Sequence, residues 1–396
     1  MRMMIAGGGT GGHVFPGIAL AEEVVTRHPE NDVVFVGTAR GLEATVVPAA
    51  GFPIELIEVK GIKGKGLLNK LTALLLLPGA FLQSWSILRR WRPDVVVGVG
   101  GYASGPVVLT AWLMRIPTAV QEQNAIAGFT NRILGLFVNA AFTAFPEAAG
   151  YFSRSKVFQL GNPIRRQLLD NYMRPLDDHA KMRLLVFGGS QGAHALNMRV
   201  IEALPHLADL RDKITTVHQT GARDREYVER GYLSVGFKPD VHEFIHDMSA
   251  AYAACDLVVC RAGATTLAEL TVCKKPSILV PFPAAADNHQ VINARSLVDA
   301  GAAVMIEERD LTGELLAREI RAILANPERR ERMARAAGLM GAPQAAKEIA
   351  DTCAEMVVTR WGSRHGRHSE PGFRPVRPVE SSPEPAQEAH PPSPNP

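Results

Sequence analysis

Cysteines are few in this sequence, and their arrangement suits neither cross-links nor metal binding. The chain of 396 residues has four, at Cys255, Cys260, Cys273 and Cys353, and no two of them form a Cys-x-x-Cys pair. Irregular spacing of this kind excludes a disulfide framework and argues against a zinc site. We therefore expect free thiols in a reducing compartment.

A surplus of one charge sign is missing too. The 43 Lys and Arg residues nearly balance the 40 Asp and Glu residues, and the formal net charge is +3. A dedicated nucleic-acid binder would carry a strong basic excess, so we expect no nucleic acid among the partners. The amino terminus lacks an apolar segment of signal-peptide length, which predicts a protein that stays in the cytoplasm.

Large apolar side chains are almost absent from the last 35 residues, 362–396, which contain 9 of the 27 prolines. Such a segment cannot bury enough surface to offset the entropy of ordering it, and we predict a disordered tail. The composition of the whole chain, with 46% hydrophobic and 21% charged residues, is that of a globular protein. At about 150 residues per domain, its length predicts two domains.

Short apolar runs alternate with helical patterns through the rest of the chain. Strands are predicted in two series, at 2–6, 32–36, 94–99, 118–121 and 141–144, and at 183–187, 214–218, 232–235, 256–260, 277–280 and 302–306. Continuous apolar strands between helices indicate parallel sheets that are covered on both faces. The predicted fold class is therefore α/β, with two doubly wound domains that meet near Gly161-Asn162-Pro163.

Each series opens with a strand, a glycine-rich loop and a helix. The loops are Gly7-Gly8-Gly9-Thr10-Gly11-Gly12 and Gly188-Gly189-Ser190-Gln191-Gly192. Glycine lets backbone N–H groups approach an anion at a helix N-terminus, so both loops are candidates for holding phosphate. A dinucleotide site would also need an acidic residue at the end of the second strand. That strand ends in Val36-Gly37-Thr38, which argues against a dinucleotide.

His13 directly follows the first loop, at the sheet edge where open α/β folds bind ligands. The near-neutral pKa of histidine suits general-base catalysis. Position alone leaves two interpretations open, a residue that touches substrate and a structural hydrogen-bonding residue.

The second loop also matches the Gly-x-Ser-x-Gly elbow of serine hydrolases, with Ser190 as the nucleophile. Asp256 or Asp287, together with His289, stand in the right chain order for a triad. A phosphate-holding loop explains Ser190 as well, and it explains both domains. A hydrolase remains an alternative, as does a non-catalytic nucleotide-sugar-binding scaffold.

Two polar clusters follow strands of the second series. In the first, Thr265 and Glu269 share one face of a helix, and a carboxylate there can accept from both hydroxyls of a ribose. In the second, Gln290 belongs to a row of amides that can bind sugar hydroxyls. The chain has no Asp-x-Asp triplet, and we predict no metal and no cofactor. A metal-free phosphate site relies on helix N-termini, hydroxyls and arginine, for which Arg165 is placed.

The segment from Lys60 to Arg92 is both basic and apolar, with seven basic residues and no acidic one. Its 18 uncharged central residues, 71–88, are interrupted by Pro78-Gly79 and several polar side chains, which argues against a membrane span. Apolar residues ringed by cations suit an anionic lipid surface, whereas a core helix with basic ends is the alternative. We predict a membrane patch formed by Lys63, Lys65, Lys70, Phe81, Trp85, Leu88, Arg89 and Arg92.

Seven motifs occur in order along residues 1 to about 360. They are 8–16 (GGTGGHVFP), 100–106 (GGYASGP), 122–128 (EQNAIAG), 161–165 (GNPIR), 188–192 (GGSQG), 261–264 (RAGA) and 287–290 (DNHQ). Each is weak evidence alone, but together they resemble the MurG family, the peptidoglycan N-acetylglucosaminyltransferases.

The resemblance implies a GT-B fold, in which two Rossmann-like domains face each other across a cleft. Residues 1–163 would form the acceptor and membrane-associating domain, with a helix at 343–360 packed back on it, and 164–342 would bind UDP-GlcNAc. The implied reaction is an inverting, metal-independent transfer of GlcNAc from UDP-GlcNAc to the C4 hydroxyl of MurNAc in lipid I, which gives lipid II.

We predict His13 as the catalytic base, because Gln121 stands where the family often has another histidine. The implied partners are UDP-GlcNAc, lipid I, an anionic membrane surface at the cytoplasmic face of the inner membrane, and other cell-wall synthesis proteins. By the family's pattern, UDP-GlcNAc would contact Thr10, Gly11, Gly12, Asn124, Arg165, Ser190, Ile245 (through its backbone, to the uracil), Ala264, Thr265, Thr266, Leu267, Ala268, Glu269 and Gln290.

Overall fold

The first half of the chain builds a parallel sheet. The computed structural model describes residues 1–59, 67–172, 181–189 and 192–365, with the backbone alone for 67–76, 170–172 and 360–365. The seven strands lie in the order β3-β2-β1-β4-β5-β6-β7, and each pair of neighbours is parallel. Their bounds are β1 (Arg2–Gly7), β2 (Asp32–Gly37), β3 (Ile54–Leu56), β4 (Val95–Gly100), β5 (Thr118–Glu122), β6 (Ala140–Thr143) and β7 (Val157–Gln159).

Helices cover both faces of this sheet, which explains why β1 and β4 are almost completely buried. The helices are α1 (Gly11–Arg27), α2 (Glu43–Ala49), α3 (Leu67–Trp91), α4 (Ser104–Leu113) and α5 (Phe129–Gly135).

A second parallel sheet follows, with six strands in the order β10-β9-β8-β11-β12-β13. Its strands are β8 (Met182–Phe187), β9 (Ile214–Gln219), β10 (Asp240–His242), β11 (Leu257–Cys260), β12 (Ser277–Leu279) and β13 (Ala303–Met305). The remaining helices are α6 (Arg166–Tyr172), α7 (His194–Ala203), α8 (Arg225–Ser234), α9 (Met248–Ala254), α10 (Ala264–Val272), α11 (His289–Asp299), α12 (Gly313–Leu324), α13 (Pro327–Met340) and α14 (Ala345–His365).

The predicted α/β class with two doubly wound parallel sheets is confirmed. In each sheet the strand order reverses beside the first strand, between β1 and β4 and between β8 and β11. Open α/β sheets bind ligands at such switch points, beyond the carboxyl ends of the strands. The two glycine loops follow β1 and β8 and therefore lie at these positions.

One predicted strand is wrong. Residues 232–234 form the last turn of α8, and the next strand is β10. Tyr232 is fully buried, with its ring packed edge-on against His218 and Phe237. The apolar run at 232–235 therefore marks a helix end that packs on the sheet. The short edge strands β3 and β7 were not predicted, because three residues are too few to show a pattern.

The final helix, α14, packs on the first sheet's domain. Ile349, Ala350 and Cys353 are fully buried in a core cluster that includes residues of α1. This helix continues to His365, so 362–365 are helical although we predicted that the tail begins at Gly362. The first proline of the tail is Pro371, so no proline interrupts the helix at 362–365. The rest of the predicted tail lies outside the described residues.

The chain crosses between the two domains twice, near Gly161 and near Ala342, and the two crossings lie side by side. Gly161 follows β7 with φ +90°, and a Cβ on it would overlap the side chain of Ala342, which precedes α14. Glycine is required here both by the positive φ and by the close approach of the two crossings.

Helix α3 buries part of the face that we predicted for the membrane patch. Ala80, Ser84, Ile87 and Leu88 are buried, and Ile87 and Leu88 join a core cluster of the first domain. The inclusion of Leu88 in the membrane patch is therefore wrong. Leu88 and Trp85 lie about 60° apart around the helix, but the buried face of Ala80, Ser84 and Ile87 lies on the side of Leu88 that is away from Trp85.

The exposed side of α3 still carries apolar and basic side chains. Leu82 is 73% exposed and Trp85 is 44% exposed, while Phe81 is half-buried. Arg89 and Arg92 are exposed. Lys63 and Lys65 lie outside the described residues, and only the backbone of Lys70 is described. Among the helices that the structure describes, none is long and apolar enough to cross a bilayer.

Candidate active site

The first glycine loop turns sharply away from β1 and brings the start of α1 to the sheet edge. Gly7, Gly8 and Gly9 all have positive φ, and the N–H of Gly8 donates to the carbonyl of Gly100 at the end of β4. The loop is thus tied to the neighbouring strand across the switch point. The predicted contacts Thr10, Gly11 and Gly12 follow directly, with Thr10 exposed.

His13 is half-buried in the first turn of α1. Its Nδ1 lies 3.2 Å from the carbonyl oxygen of Gly8. The hydroxyl of Thr10 lies 3.3 Å from the same nitrogen. A carbonyl only accepts, whereas a hydroxyl can also accept, so both partners suit the tautomer in which Nδ1 carries the proton and Nε2 keeps a free lone pair. Burial lowers the pKa of His13, against the opposing effect of the Glu122 carboxylate. The neutral imidazole therefore has the tautomer that a general base needs, with Nε2 as the accepting atom.

The space for the His13 ring is provided by Gly100. A Cβ on Gly100 would lie 2.8 Å from Cδ2 and 3.0 Å from Nε2 of the ring. Any other residue at this position would push the imidazole out of place. The motif at 100–106 thus contributes to the site by having no side chain at its first position.

A buried carboxylate shapes the turn after β5. Oε1 of Glu122 accepts from the N–H of Asn124 at 3.1 Å, and Oε2 accepts from the N–H of Gly128 and from the side chain of Asn131, both at 2.9 Å. Gln121, at the position of the family's histidine, donates to the carbonyl of Gly161 at 3.2 Å. Gln121 is 1% exposed, so it supports the domain crossing and is not placed to meet substrate.

The second domain contacts this turn through α11. Asn293, which is fully buried, accepts from the N–H of Ala125 at 2.8 Å and donates to the side-chain oxygen of Asn124 at 3.2 Å. The predicted sugar-binding residue Asn124 therefore lies at the contact between the two domains. Gln290, three residues before Asn293, accepts from the N–H of Phe282 at 2.9 Å.

Helix α10 faces the first glycine loop across the cleft. The hydroxyl of Thr265 donates to the carbonyl of Gly12 at 3.5 Å. Ala264, Thr266, Leu267 and Ala268 belong to the same helix, in which Leu267 is buried in the core. The structure thus brings the predicted contacts Thr265 and Gly12, one from each domain, together across the cleft.

Glu269 is less accessible than a ribose-binding carboxylate was expected to be. It is 7% exposed, and Oε2 accepts from the hydroxyl of Tyr252 at 3.0 Å. Oε1 lies 3.6 Å from the guanidinium of Arg165, which also stacks over the ring of Phe15 at 5.2 Å. Burial raises the pKa of Glu269, and Arg165 opposes that effect. Arg165 is therefore at the cleft, as predicted, between residues of both domains.

The second glycine loop is supported by a neutral side chain. Gln219, at the end of β9, donates to the carbonyl of Gly189 at 2.7 Å and accepts from the N–H of Ile245 at 2.9 Å. Gln219 thus connects the loop with the predicted uracil-binding position. Ser190 lies outside the described residues.

The geometry disfavours a hydrolase triad. Asp256 accepts from the N–H of Arg183 at 2.8 Å, at the amino end of β8, whereas the loop of Ser190 follows the carboxyl end of that strand. Nδ1 of His289 lies 2.6 Å from the carbonyl of Ala286. Within the described ranges, no group of three or more His, Cys, Asp and Glu side chains could hold a metal ion.

Three residues at this site were missed by the sequence analysis, namely Glu43, Gln219 and Asn293. Glu43 accepts from the N–H of Gly9 at 2.6 Å. All three are polar side chains that bind backbone groups far away along the chain. Gln219 alone carried a signal, because it directly follows the predicted strand 214–218 at the ligand-binding edge.

Two doubly wound domains with a histidine and a phosphate-type loop at the cleft between them define a glycosyltransferase of the GT-B class. Family models agree with this class in both halves of the chain. Residues 3–143 match the glycosyltransferase family 28 N-terminal domain, and residues 183–349 match the glycosyltransferase family 28 C-terminal domain.

Curated relatives narrow the class further. A UDP-N-acetylglucosamine–N-acetylmuramyl-(pentapeptide) pyrophosphoryl-undecaprenol N-acetylglucosamine transferase of Anaeromyxobacter dehalogenans is 82% identical over 378 residues, which cover 96% of this chain and 99% of the relative. The Myxococcus xanthus protein of the same name is 61% identical, over 94% of this chain and 97% of its own. The chain therefore belongs to this transferase family, the MurG family, as the motifs predicted.

A solved structure supports the same assignment. The crystal structure of Acinetobacter baumannii MurG is similar with a TM-score of 0.72 and 31% sequence identity, over 89% of this chain and 99% of that one. The predicted GT-B fold is thereby confirmed.

Proposed function

We propose that this chain transfers GlcNAc from UDP-GlcNAc to the C4 hydroxyl of MurNAc in lipid I, which gives lipid II for peptidoglycan synthesis. The names of its relatives describe this class of reaction. The single observation that carries the proposal is the juxtaposition of His13 and the first loop with α10 and Arg165 across one cleft.

His13 acts as the general base in this mechanism. With Nδ1–H held by Gly8, Nε2 accepts the proton of the attacking hydroxyl as the C4 oxygen bonds to the anomeric carbon. The bond from that carbon to the UDP oxygen breaks on the opposite face, so a single in-line displacement inverts the configuration. The lowered pKa keeps the imidazole unprotonated and ready to accept.

The leaving UDP needs its growing negative charge stabilised without a metal. The second glycine loop with Ser190, and the guanidinium of Arg165, are the groups that do this. The donor contacts we propose are Thr10, Gly11, Gly12, Asn124, Arg165, Ser190, Ile245, the α10 residues 264–269 and Gln290. Residues 1–163 with the final helix would take the acceptor, and 164–342 would hold the donor.

The decisive experiment measures UDP release with UDP-GlcNAc and a lipid I analogue. We expect release that requires both substrates. Binding of UDP-GlcNAc without release would favour the scaffold. Ester hydrolysis together with fluorophosphonate labelling of Ser190 would favour the hydrolase, for which the relatives give no support.

We further propose that the enzyme works peripherally at the cytoplasmic face of the inner membrane. The acceptor is lipid-linked, and the exposed side of α3 presents Leu82 and Trp85 beside Arg89 and Arg92. Such a surface combines apolar insertion with attraction to anionic headgroups. Lys63, Lys65 and Lys70 would add to it.

Liposome sedimentation tests this membrane surface. The double variant Trp85→Ala, Arg89→Ala should bind anionic vesicles about thirtyfold more weakly, because apolar area and a cation near the surface each contribute about 1 kcal/mol. UDP-GlcNAc binding should stay unchanged. The matched control, Leu339→Ala with Arg332→Ala, removes an exposed apolar residue and an exposed cation from α13 of the other domain. If both variants bind vesicles equally, α3 is not the surface that contacts the membrane.

A further inference from the structure

Glu43 is a carboxylate buried behind the first glycine loop without a cation. It is 1% exposed and accepts three hydrogen bonds, from the N–H of Gly9 at 2.6 Å and from the N–H and hydroxyl of Thr38 at 2.9 Å each. In the described part of the chain, no basic side chain forms an ion pair with it. Burial of a charge is costly unless hydrogen bonds replace its hydration, so this arrangement needs a reason beyond packing.

Three glycines leave room for this one carboxylate. A Cβ on Gly8, on Gly37 or on Gly41 would overlap the carboxyl end of Glu43. These glycines come from the first loop, from the end of β2 and from the turn before α2. The local backbone is thus shaped around Glu43 from three sides.

The hydrogen bonds of Glu43 lead directly to His13. Gly9, which donates to Glu43, is bonded to Gly8, whose carbonyl holds Nδ1 of the imidazole at 3.2 Å. The N–H of Gly8 is fixed in turn by the carbonyl of Gly100 at 3.1 Å. The Gly8–Gly9 peptide, whose carbonyl contacts His13, is therefore held by Glu43 through its N–H. The peptide before it is held by the carbonyl of Gly100.

Electrostatics gives Glu43 a second effect on the same ring. The ionisable groups that act on His13 are Glu122 at the end of β5, His289 at the start of α11 and Glu43 on α2. The carboxylates of Glu122 and Glu43 raise the pKa of His13, whereas burial, the largest effect, and His289 lower it. Without Glu43 the imidazole would be a weaker base.

We propose that Glu43 is a positioning residue for His13, which holds the Gly8–Gly9 peptide in place and supplies negative charge behind the imidazole. The inference rests on the proposed role of His13 as the base. It also assigns the first loop a task different from phosphate binding, because the N–H of Gly9 is already used by an internal anion.

The test compares Glu43→Gln with Glu30→Gln, an exposed residue of the same domain with the same change of charge. An amide at position 43 must turn its NH2 towards Gly9 or Thr38, so at least one hydrogen bond is lost. We expect kcat to fall about tenfold with the KM for UDP-GlcNAc within about twofold, since the loss acts on the base and not on donor binding. Glu30→Gln should match the wild type in both.

A direct titration separates positioning from mere loss of structure. Histidine NMR on the free enzyme, with His13 assigned through His13→Gln, should show a lower pKa of His13 in Glu43→Gln than in the wild type, because a nearby negative charge is gone. The acidic limb of kcat/KM should shift in the same direction. An unchanged titration and limb would overturn the proposal.

A second variant keeps the proposal testable if Glu43→Gln does not fold. Gly41→Ala keeps the glutamate at position 43 but forces its carboxyl group to move, so kcat should again fall. Wild-type kcat in Gly41→Ala would contradict the positioning role. Full turnover by His13→Ala would refute the base itself, whereas the titration would still report whether Glu43 acts on His13.

Discussion

The two glycine loops look alike in sequence and differ in what lies behind them. The first is backed by the charged Glu43, which uses the N–H of Gly9, and the second by the neutral Gln219, which binds the carbonyl of Gly189. A loop whose amide already serves an internal anion is poorly suited to a second one, whereas the other loop can receive the diphosphate. We therefore expect the side chain that binds each loop from behind, and not the spacing of the glycines, to distinguish the domain that holds phosphate.

The second loop also rests on a buried network that includes the carboxylate of Asp224, which accepts from the side chain of Asn197 at 2.8 Å. Gly192 abuts the carbonyl of Thr220, which accepts from the side chain of Asn197 at 2.9 Å. The side-chain oxygen of Asn197 lies 3.1 Å from Nε2 of His218, and Nδ1 of His218 lies 3.2 Å from the hydroxyl of Tyr232. The first loop thus depends on the carboxylate of Glu43, whereas the second depends on an imidazole, that of His218, which burial keeps neutral.

The largest expected effect concerns the first loop's histidine. His13→Ala should lower kcat about 100- to 10,000-fold, because it removes the base, and should leave the Kd for UDP-GlcNAc nearly unchanged. Turnover assays and isothermal titration with the donor measure the two quantities. If the variant folds normally, binds donor normally and keeps full turnover, then the first loop does not position a catalytic base, and the proposed difference between the two loops is wrong.

Acid should weaken the support of the second loop. Burial lowers the pKa of His218 to about 3, from 6.5, so the unfolded chain binds the proton more readily than the folded one. Stability from this neutral histidine is complete above pH 6.5 and is lost as the pH falls below it, by about 2 kcal/mol between pH 6.5 and 5. Hydrogen exchange of β8 and β9 peptides at the two pH values measures the loss.

His218→Gln is the control for this acid effect. Glutamine cannot be protonated in this range, so exchange in β8 and β9 should depend less on pH than in the wild type. Equal pH dependence in the two proteins would show that another group is responsible.

The smallest effect comes from a matched pair of glycines. Gly9 and Gly189 have φ of +93° and +99°, and a Cβ on either meets nothing within 4 Å. Alanine at both positions therefore brings similar strain, of about 1 kcal/mol. Gly189→Ala should raise the Kd for UDP-GlcNAc about tenfold, because its methyl group enters the space for the diphosphate, and Gly9→Ala should change it less than about threefold. The reverse order would assign phosphate binding to the first loop.

The fold and the position of the site could be predicted because their signals are local. Strand, glycine loop and helix follow one another within a few residues, and His13 is adjacent to its loop. Glu43 and Asn293 could not be found, because each acts on backbone groups of another segment. Only the packed chain shows that Glu43 reaches Gly9 and that Asn293 reaches Ala125.

The incorrect predictions for α3 and for residues 232–235 have a common physical origin. Apolar spacing shows that α3 has a buried side, but Leu88 is buried because of how the helix packs against its neighbours. Likewise Tyr232 is the buried residue of the run at 232–235, and it is covered in a helix end as fully as it would be in a strand, whereas Leu233 is exposed. Sequence indicates which segments are apolar, and tertiary packing decides how they are buried.

The return of α14 to the first domain has a consequence for synthesis. Ile349, Ala350 and Cys353 complete the core of that domain, and the ribosome adds them only after every strand of the second sheet. Domains fold as units while the chain emerges, so the second domain can close before the first has its last helix. The half of the enzyme that is made first is therefore the half that is finished last.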